Sequence, residues 1–550
     1  MMLSTMCQAS TSKQQHLLKH IWRTLSTTLQ LSNVKILTHD TTTSTEHHMP
    51  TSTRTIDSNY LRNILAEWDQ AKPFSKVPGP TRFQVMRGFM KGGEFENLSL
   101  IDLVNRCRQK YGDICLIPAS FGQPPLLSIF DPVDFERVHR TEGKWPIRPG
   151  AEAIVFYRKN RKDGFFNETM GLAGRDQEWA HVRSAVNPVL MKPQNARLYL
   201  EPMLRISTEF VQRICEIRDP ITQEVPDNFV EDINYLTFES IAAVSLDKEL
   251  GLVRKTGNSA EAQRLFDSSH IFIKSIYELG VKPSLYQYFP TPTYRRFEKA
   301  MDTVFEICKK YVDEALERVE CQAGGGSEGR SVLEKLLKID RKLAVVMALD
   351  MMQAGVEPTT SVLAGALLLI AKNPEKQAKL RAEILNAVST DKNAKFTIEN
   401  MHNLPYLRAC IKESLRLYPI TPGNFRETGM DIVLGGYRVP KNTRVIINSN
   451  LLLTEERHFP RPHDFIPERW LRGDAERLVS DTMSPFVYLP FGFGPRTCVG
   501  KRIVDLELEL TLANLVRTFK IEFNYPTEKA FKCQFINTPA IPLKFKFTDL

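Results

Sequence analysis

The residues Phe491-Gly492-Phe493-Gly494-Pro495-Arg496-Thr497-Cys498-Val499-Gly500 bring a thiol and a guanidinium together within a loop rich in glycine and proline. Glycines let a backbone approach a flat ligand in conformations that a side chain would forbid. Cys498 follows at the start of a predicted helix, in which Val499, Ile503, Leu506, Leu510 and Ala513 recur at intervals of three and four on one face. Lys501, Arg502, Asp505, Glu507 and Glu509 fill much of the remainder. Unpaired amides and the positive end of a helix dipole favour thiolate over thiol, and thiolate is the form that ligates metal. A lone thiolate with no second Cys or His beside it does not suit zinc, which takes about four ligands in a structural site. It suits an iron whose other ligands come from a macrocycle, the sulfur pushing electron density toward a bound oxygen.

Read as Phe-x-x-Gly-x-Arg-x-Cys-x-Gly, this loop resembles the haem-binding loop of the cytochrome P-450 superfamily. The resemblance implies haem b (iron protoporphyrin IX) as cofactor, Cys498 as axial ligand of its iron and Phe491 beside it. Burying the two haem propionates without cations would cost several kcal/mol each. Trp179 and Arg183, four apart in Trp-Ala-His-Val-Arg and so on one helix face, match the family positions that meet this need. One would donate an indole N–H and the other a guanidinium, and Arg426 and Arg496 match further propionate ligands.

Ala354-Gly355-x-Glu357 resembles the family's oxygen-binding element, where small residues leave room beside the iron and an acid and a threonine handle protons. The chain departs from the family pattern at the next position, which holds Pro358 instead of threonine. Proline has no N–H and would remove the bond to the Ala354 carbonyl, opening the helix there. Either Thr359 supplies the hydroxyl after a local shift, or water and the substrate take over. The other reading of Thr359 is a hydroxyl bonded to its own backbone. Thr360 points about 100° further round and fits less well.

Glu413 and Arg416 meet on a helix face, and Arg469 of Pro467-Glu468-Arg469-Trp470 matches the third member of the family's structural triad behind the haem loop. Arg408 and Lys412, with Lys501 and Arg502, match basic positions at which mitochondrial members dock an acidic ferredoxin.

These groups need a scaffold, and the expected one is mainly α with a small β-rich lobe, the cytochrome P-450 fold. A helix ending near Tyr111 with Ser99 as N-cap, strands at Ile114–Ile117 and Leu126–Phe130, and a helix at Pro132–Arg140 sketch the lobe. A long helix within Lys338–Lys372 is apolar on more than one face and therefore buried. Another lies within Leu404–Tyr418. The expected organisation is a mitochondrial transit peptide at 1–55, a proline-rich hinge at 56–82 containing Pro73, Pro78, Gly79 and Pro80, and a haem-thiolate monooxygenase domain at 83–550.

Residues 1–55 are rich in Ser and Thr, carry Lys13, Lys19, Arg23 and Lys35, and contain no acid before Asp40. Leu17, Leu18, Ile21, Trp22 and Leu25 would line one side of a short helix, the amphipathic and acid-poor pattern of a transit peptide. That segment has no run of roughly 18 apolar residues able to span a bilayer. The net charge of +9 over 550 residues is mild and not gathered in a long basic run, which argues against nucleic acid. The nine cysteines are scattered with no CxxC pair, which fits a reducing compartment better than a disulfide framework.

The resemblance is strongest to insect mitochondrial members, the twelfth CYP family, through stretches such as Arg183–Met191, Leu404–Pro419 and Ile541–Phe547. It implies a monooxygenase that takes electrons from NADPH through a ferredoxin reductase and a ferredoxin. Its substrates would be lipophilic foreign compounds, with an endogenous steroid as the runner-up. Placement on the matrix face of the inner mitochondrial membrane, without a spanning anchor, completes the expectation. Two alternatives stay open: an electron-independent haem-thiolate isomerase or dehydratase, and a non-catalytic haem sensor.

Overall fold

Helix α1, Leu100–Tyr111, begins at its expected cap. Ser99 Oγ accepts from the Asp102 N–H at 3.2 Å, and Asp102 reaches back to the Ser99 N–H at 3.4 Å. Gly112, at φ +94°, ends it. The chain then turns into β1 (Ile114–Ile117) and β2 (Leu126–Ile129), which pair antiparallel. Two strands from far along the chain, β3 (Asn424–Glu427) and β4 (Arg444–Ile447), complete a four-stranded sheet in the order β1-β2-β4-β3. Leu127 pairs Val445 in parallel register, and Arg426 pairs Val445 from the other side. Leu127, Ile129, Val445 and Ile447 pack with Phe135 and Val138 of α2 (Pro132–Thr141) into the core of this small lobe.

The computed structural model describes residues 66–96, 98–119, 124–254, 260–280, 282, 284–321, 331–389, 394–471 and 483–550. The expected transit peptide and the first part of the hinge lie outside them. Most of the other described residues are helical, in elements that include α3 (Asp176–Leu190), α4 (Phe229–Ser245), α5 (Ala260–Gly280), α6 (Pro292–Cys321), α7 (Arg341–Ala354), α8 (Val356–Lys372), α9 (Pro405–Leu417) and α10 (Lys501–Thr518), and three further two-stranded sheets accompany them. One large apolar core joins them, running from Val182 and Val186 of α3 through Val345, Leu349 and Leu363 to Leu508 and Leu512 of α10.

The long helix expected within Lys338–Lys372 is two helices in line. Gly355 closes α7 by donating to the Met351 carbonyl at 2.9 Å, and α8 restarts so that Pro358 falls in its first turn. A missing N–H costs little there, because first-turn amides have no partner within the helix. Together these helices are the one stretch among the described residues long and apolar enough to cross a membrane. Most of that stretch is buried inside the protein, so it is a core element.

Candidate active site

The cysteine loop closes on itself. Cys498 N–H donates to the Phe491 carbonyl at 2.9 Å, and the Thr497 N–H and hydroxyl both reach the Gly494 carbonyl, at 3.1 and 2.7 Å. Gly492 and Gly494 turn the chain at φ +75° and +69°. A Cβ on Gly494 would also sit 3.2 Å from Glu142 Oε1. The expected placement of Cys498 needs correcting, since α10 starts only at Lys501 behind Gly500, and Cys498 precedes it. Burial pushes the Cys498 thiol up, against the Gly500 amide and the charges of Arg148 and Arg183. At this sulfur burial thus outweighs the amide and the nearby guanidiniums that favour a thiolate.

Cys498 nevertheless keeps accessible surface, as does Ala354, which stands between the buried Gln353 and Val356 in the middle of the helical core. Accessible surface on residues embedded this deeply faces an internal cavity.

Four guanidiniums converge near it: Arg148, Arg183, Arg426 and Arg496. Arg496 is drawn down to about 9, first by burial and then by the charges of Arg148, Arg426 and Arg183. Arg148 is lowered by burial and by Arg426, and Arg183 by burial. Glu142 is the opposing carboxylate, held by Arg426 Nε at 2.7 Å. An excess of cations over anions in a buried place suits a ligand bearing more than one negative charge.

Arg183 donates from Nη2 to the Thr497 carbonyl at 3.0 Å, and its buried Nε has no partner among the described residues. Arg426 reaches the Phe493 carbonyl at 3.4 Å, so both arginines brace the cysteine loop. Arg496 holds the carbonyls of Pro146, Leu172 and Gly174 at 2.6, 3.3 and 3.1 Å. Trp179 carries the Arg496 guanidinium on its ring face at 3.7 Å, a stacking role beyond the expected indole N–H.

Behind the loop, the Glu413, Arg416 and Arg469 side chains are fully buried. Glu413 Oε1 accepts from Arg416, Arg469 and the Ile466 N–H at 2.9, 2.9 and 3.1 Å, and Oε2 accepts from Arg416 and Trp470 Nε1 at 3.0 and 2.8 Å. Trp470 is thus a fourth member that spacing did not announce.

In the helical core beside Ala354, Gly355 is packed so closely that a Cβ would lie 2.9 Å from the Met351 carbonyl oxygen and 3.0 Å from Ile241 of α4. Thr359 donates its hydroxyl to the Gly355 carbonyl at 2.8 Å, the backbone-bonded arrangement. The Thr360 hydroxyl pairs with Thr237 at 2.7 Å. Glu357 lies 3.3 Å from His270 Nε2 of α5.

The cytochrome P450 family model matches residues 77–547. The chain belongs to the cytochrome P450 family. It is 54% identical over 90% of its length to a Drosophila melanogaster protein, "Probable cytochrome P450 12c1, mitochondrial", and spans 95% of that protein. A Musca domestica protein, "Cytochrome P450 CYP12A2", is 46% identical over 88% of this chain and 93% of its own length. Among solved structures, cyanobacterial CYP120A1 with retinoic acid bound superposes with a TM-score of 0.67 at 19% identity. That match covers 87% of this chain and all of the other, and it establishes the fold.

As a cytochrome P450 the protein is a haem-dependent monooxygenase, and its residues fit the cofactor. The accessible surface at Cys498 and at Ala354 and the surplus of guanidiniums are what a ligated iron, a flat macrocycle and two propionates call for. Arg148 was not anticipated. Its signal in the sequence is an arginine in the stiff segment Trp145-Pro146-Ile147-Arg148-Pro149, which has no regular spacing to the cysteine loop.

The four basic residues expected to face a ferredoxin divide in this P450. Lys412 and Arg502 are exposed. Arg408 donates to the Met401 and His402 carbonyls at 2.9 and 2.7 Å and lies 3.5 Å from Glu509. Lys501 holds Asp505 at 2.8 Å and covers the Phe491 ring.

Proposed function

We propose that this P450 inserts one atom of dioxygen into lipophilic small molecules, foreign compounds foremost, with electrons passed from NADPH through a ferredoxin reductase and a ferredoxin. The observation that carries the reading is the accessible surface kept by Cys498 and by Ala354 within the helical core, with guanidiniums gathered around the cysteine loop. Bound haem supplies the iron at which dioxygen is activated, with Cys498 as its thiolate ligand. Arg148, Arg183, Arg426 and Arg496 hold its propionates, directly or by fixing the loop that does. Ala354 and Gly355 leave room, and Glu357 with water handles the protons that the reaction consumes.

Mitochondrial placement is supported by the acid-poor leader and by the word "mitochondrial" in the names of relatives such as the Drosophila protein above. The exposed Lys412 of α9 and Arg502 of α10, two helices that pack together, supply basic charge for an acidic ferredoxin. Peripheral association with the inner membrane draws on exposed Phe83, Met90, Tyr288 and Phe289. Tyr277 of α5 donates to the Leu98 carbonyl at 3.1 Å, which ties the approach to the second pair to the segment that follows the first.

Reduced ferredoxin added to purified, haem-loaded protein should stimulate oxygenation of a substrate found by screening lipophilic compounds for a change of iron spin state. Turnover that proceeds equally without electrons would replace this reading with the isomerase or dehydratase. A screen answered by steroids alone would replace the foreign compounds with an endogenous substrate.

A further inference from the structure

Two contacts of His270 fix where a proton has to be. Nδ1 lies 3.2 Å from the Phe266 carbonyl, one turn back on α5. A carbonyl oxygen only accepts, so Nδ1 is the nitrogen that carries hydrogen, and in a neutral ring Nε2 would then be a bare lone pair. Nε2 faces Glu357 Oε1 at 3.3 Å, and an ionised carboxylate also only accepts. Two lone pairs at that distance repel. One further proton, on the ring or on the carboxyl, turns the contact into a charge-assisted bond. The ring is held in place by Phe266, their centroids 4.4 Å apart.

The position of the pair gives that proton a use. Glu357 lies in the first turn of α8, just past Gly355 and the accessible Ala354. Nearby proton carriers are committed elsewhere: the Thr359 hydroxyl to the Gly355 carbonyl and the Thr360 hydroxyl to Thr237, while Pro358 has no N–H. The His270 and Glu357 side chains remain 22% and 15% exposed, so water can restore a proton that leaves.

We propose that His270 and Glu357 share one proton and act together as the proton store on the oxygen side of the cavity, with His270 a positioning residue that keeps Glu357 supplied. This rests on the role given to Glu357 in the proposed function. Reducing one dioxygen while oxygenating one substrate takes up two electrons and two protons and releases one water. The pair gives up a single proton, is left as neutral imidazole and carboxylate, and regains the proton from solvent; no other bond in either side chain changes.

The experiment has a spectroscopic and a kinetic arm. In protein with isotope-labelled histidine nitrogens, reduced and bound to carbon monoxide so that it is diamagnetic, the His270 resonances are assigned by their loss in His270→Phe. The Glu357 carboxyl is read from infrared differences against Glu357→Gln. The expected result at neutral pH is either a doubly protonated His270 ring or a protonated-carboxyl band that disappears in Glu357→Gln. A ring protonated at Nδ1 alone beside an ionised Glu357 overturns the proposal.

In the kinetic arm, His270→Phe and His270→Gln should both divert electrons to peroxide, with the substrate-induced spin change intact. Product per electron should fall on the order of tenfold, less than the roughly hundredfold or more that a directly acting acid supplies. Glutamine can still donate a hydrogen bond to Glu357 but stores no proton, so restored coupling in His270→Gln would reduce the role to a structural one and overturn the proposal. If Glu357→Gln uncouples and the His270 variants do not, the inference about His270 fails and the role of Glu357 stands. Unchanged coupling in all three variants removes both. A wild type that never responds to ferredoxin removes the functional reading instead, and the spectroscopic arm still decides the shared proton.

Discussion

Cys308, Cys410 and Cys533 are buried, and burial pushes their thiols up, to about 12 for Cys308 and Cys533. Cys498 is pushed up for the same reason but opens onto the cavity, so its burial penalises a bare thiolate while leaving the sulfur reachable by a metal. Cys498→Ala should therefore abolish the thiolate signature of the reduced carbon monoxide complex, and Cys410→Ala should keep it; the absorption spectrum of each variant decides. Pro358 permits a second test at this scale. Because it sits in the first turn of α8, Pro358→Thr should fold, and its hydroxyl would stand about 100° round the helix from Thr359, which is tied to the backbone. Less peroxide per NADPH is expected, and an unchanged yield would show that this hydroxyl position does not limit proton supply.

At the scale of elements, Glu413 gathers five hydrogen bonds from Arg416, Arg469, Ile466 and Trp470 with no exposed side-chain surface. Glu413→Gln leaves two buried guanidiniums short of a counter-charge, which costs about 3–5 kcal/mol and should appear as a lowered denaturation midpoint. The three charged members were legible because their types come in a fixed order along the sequence; Trp470 was not, because an indole beside an arginine reads as packing. Likewise Pro358 signalled an opening in the long helix, but the break falls at Gly355, where close packing on Ile241 admits no side chain. Helix α10 hides another unannounced group, since Glu507 reads as one of its polar positions yet is buried. Burial raises Glu507 to about 8 from 4.5, with Ser240 opposing and Oε1 without a partner among the described residues. A raised acid binds its proton in the folded state over the interval in which the unfolded chain has released it, so stability falls as pH rises from 4.5 to about 8. Glu507→Gln removes that fall; its advantage over wild type in chemical denaturation should grow across the same interval, by up to a few kcal/mol.

At the scale of the whole molecule, the distribution of charge matters more than its total, which was legible as a mild +9 but not as a docking face. A sequence shows that Arg408, Lys412, Lys501 and Arg502 are basic, and only packing shows which are exposed. Arg408 fastens the segment before α9 through two carbonyls and Glu509, and Lys501 is held by Asp505. Lys412, which stands 6.0 Å over the Trp470 ring, and Arg502 are the two that are exposed. Lys412→Glu and Arg502→Glu should each raise the ferredoxin concentration giving half-maximal turnover by several-fold, with the maximal rate and the carbon monoxide spectrum unchanged. Exposed charges act through solvent, so the difference from wild type should shrink as salt shortens the screening length from about 10 Å at 0.1 M. Arg408→Glu, which would set a second carboxylate beside Glu509 and release two carbonyls, should instead lower the melting temperature. A salt-insensitive response at Lys412 and Arg502, or a docking response confined to Arg408, would move the ferredoxin to another face, because a partner steered by charge has to meet the cations that the fold leaves in water.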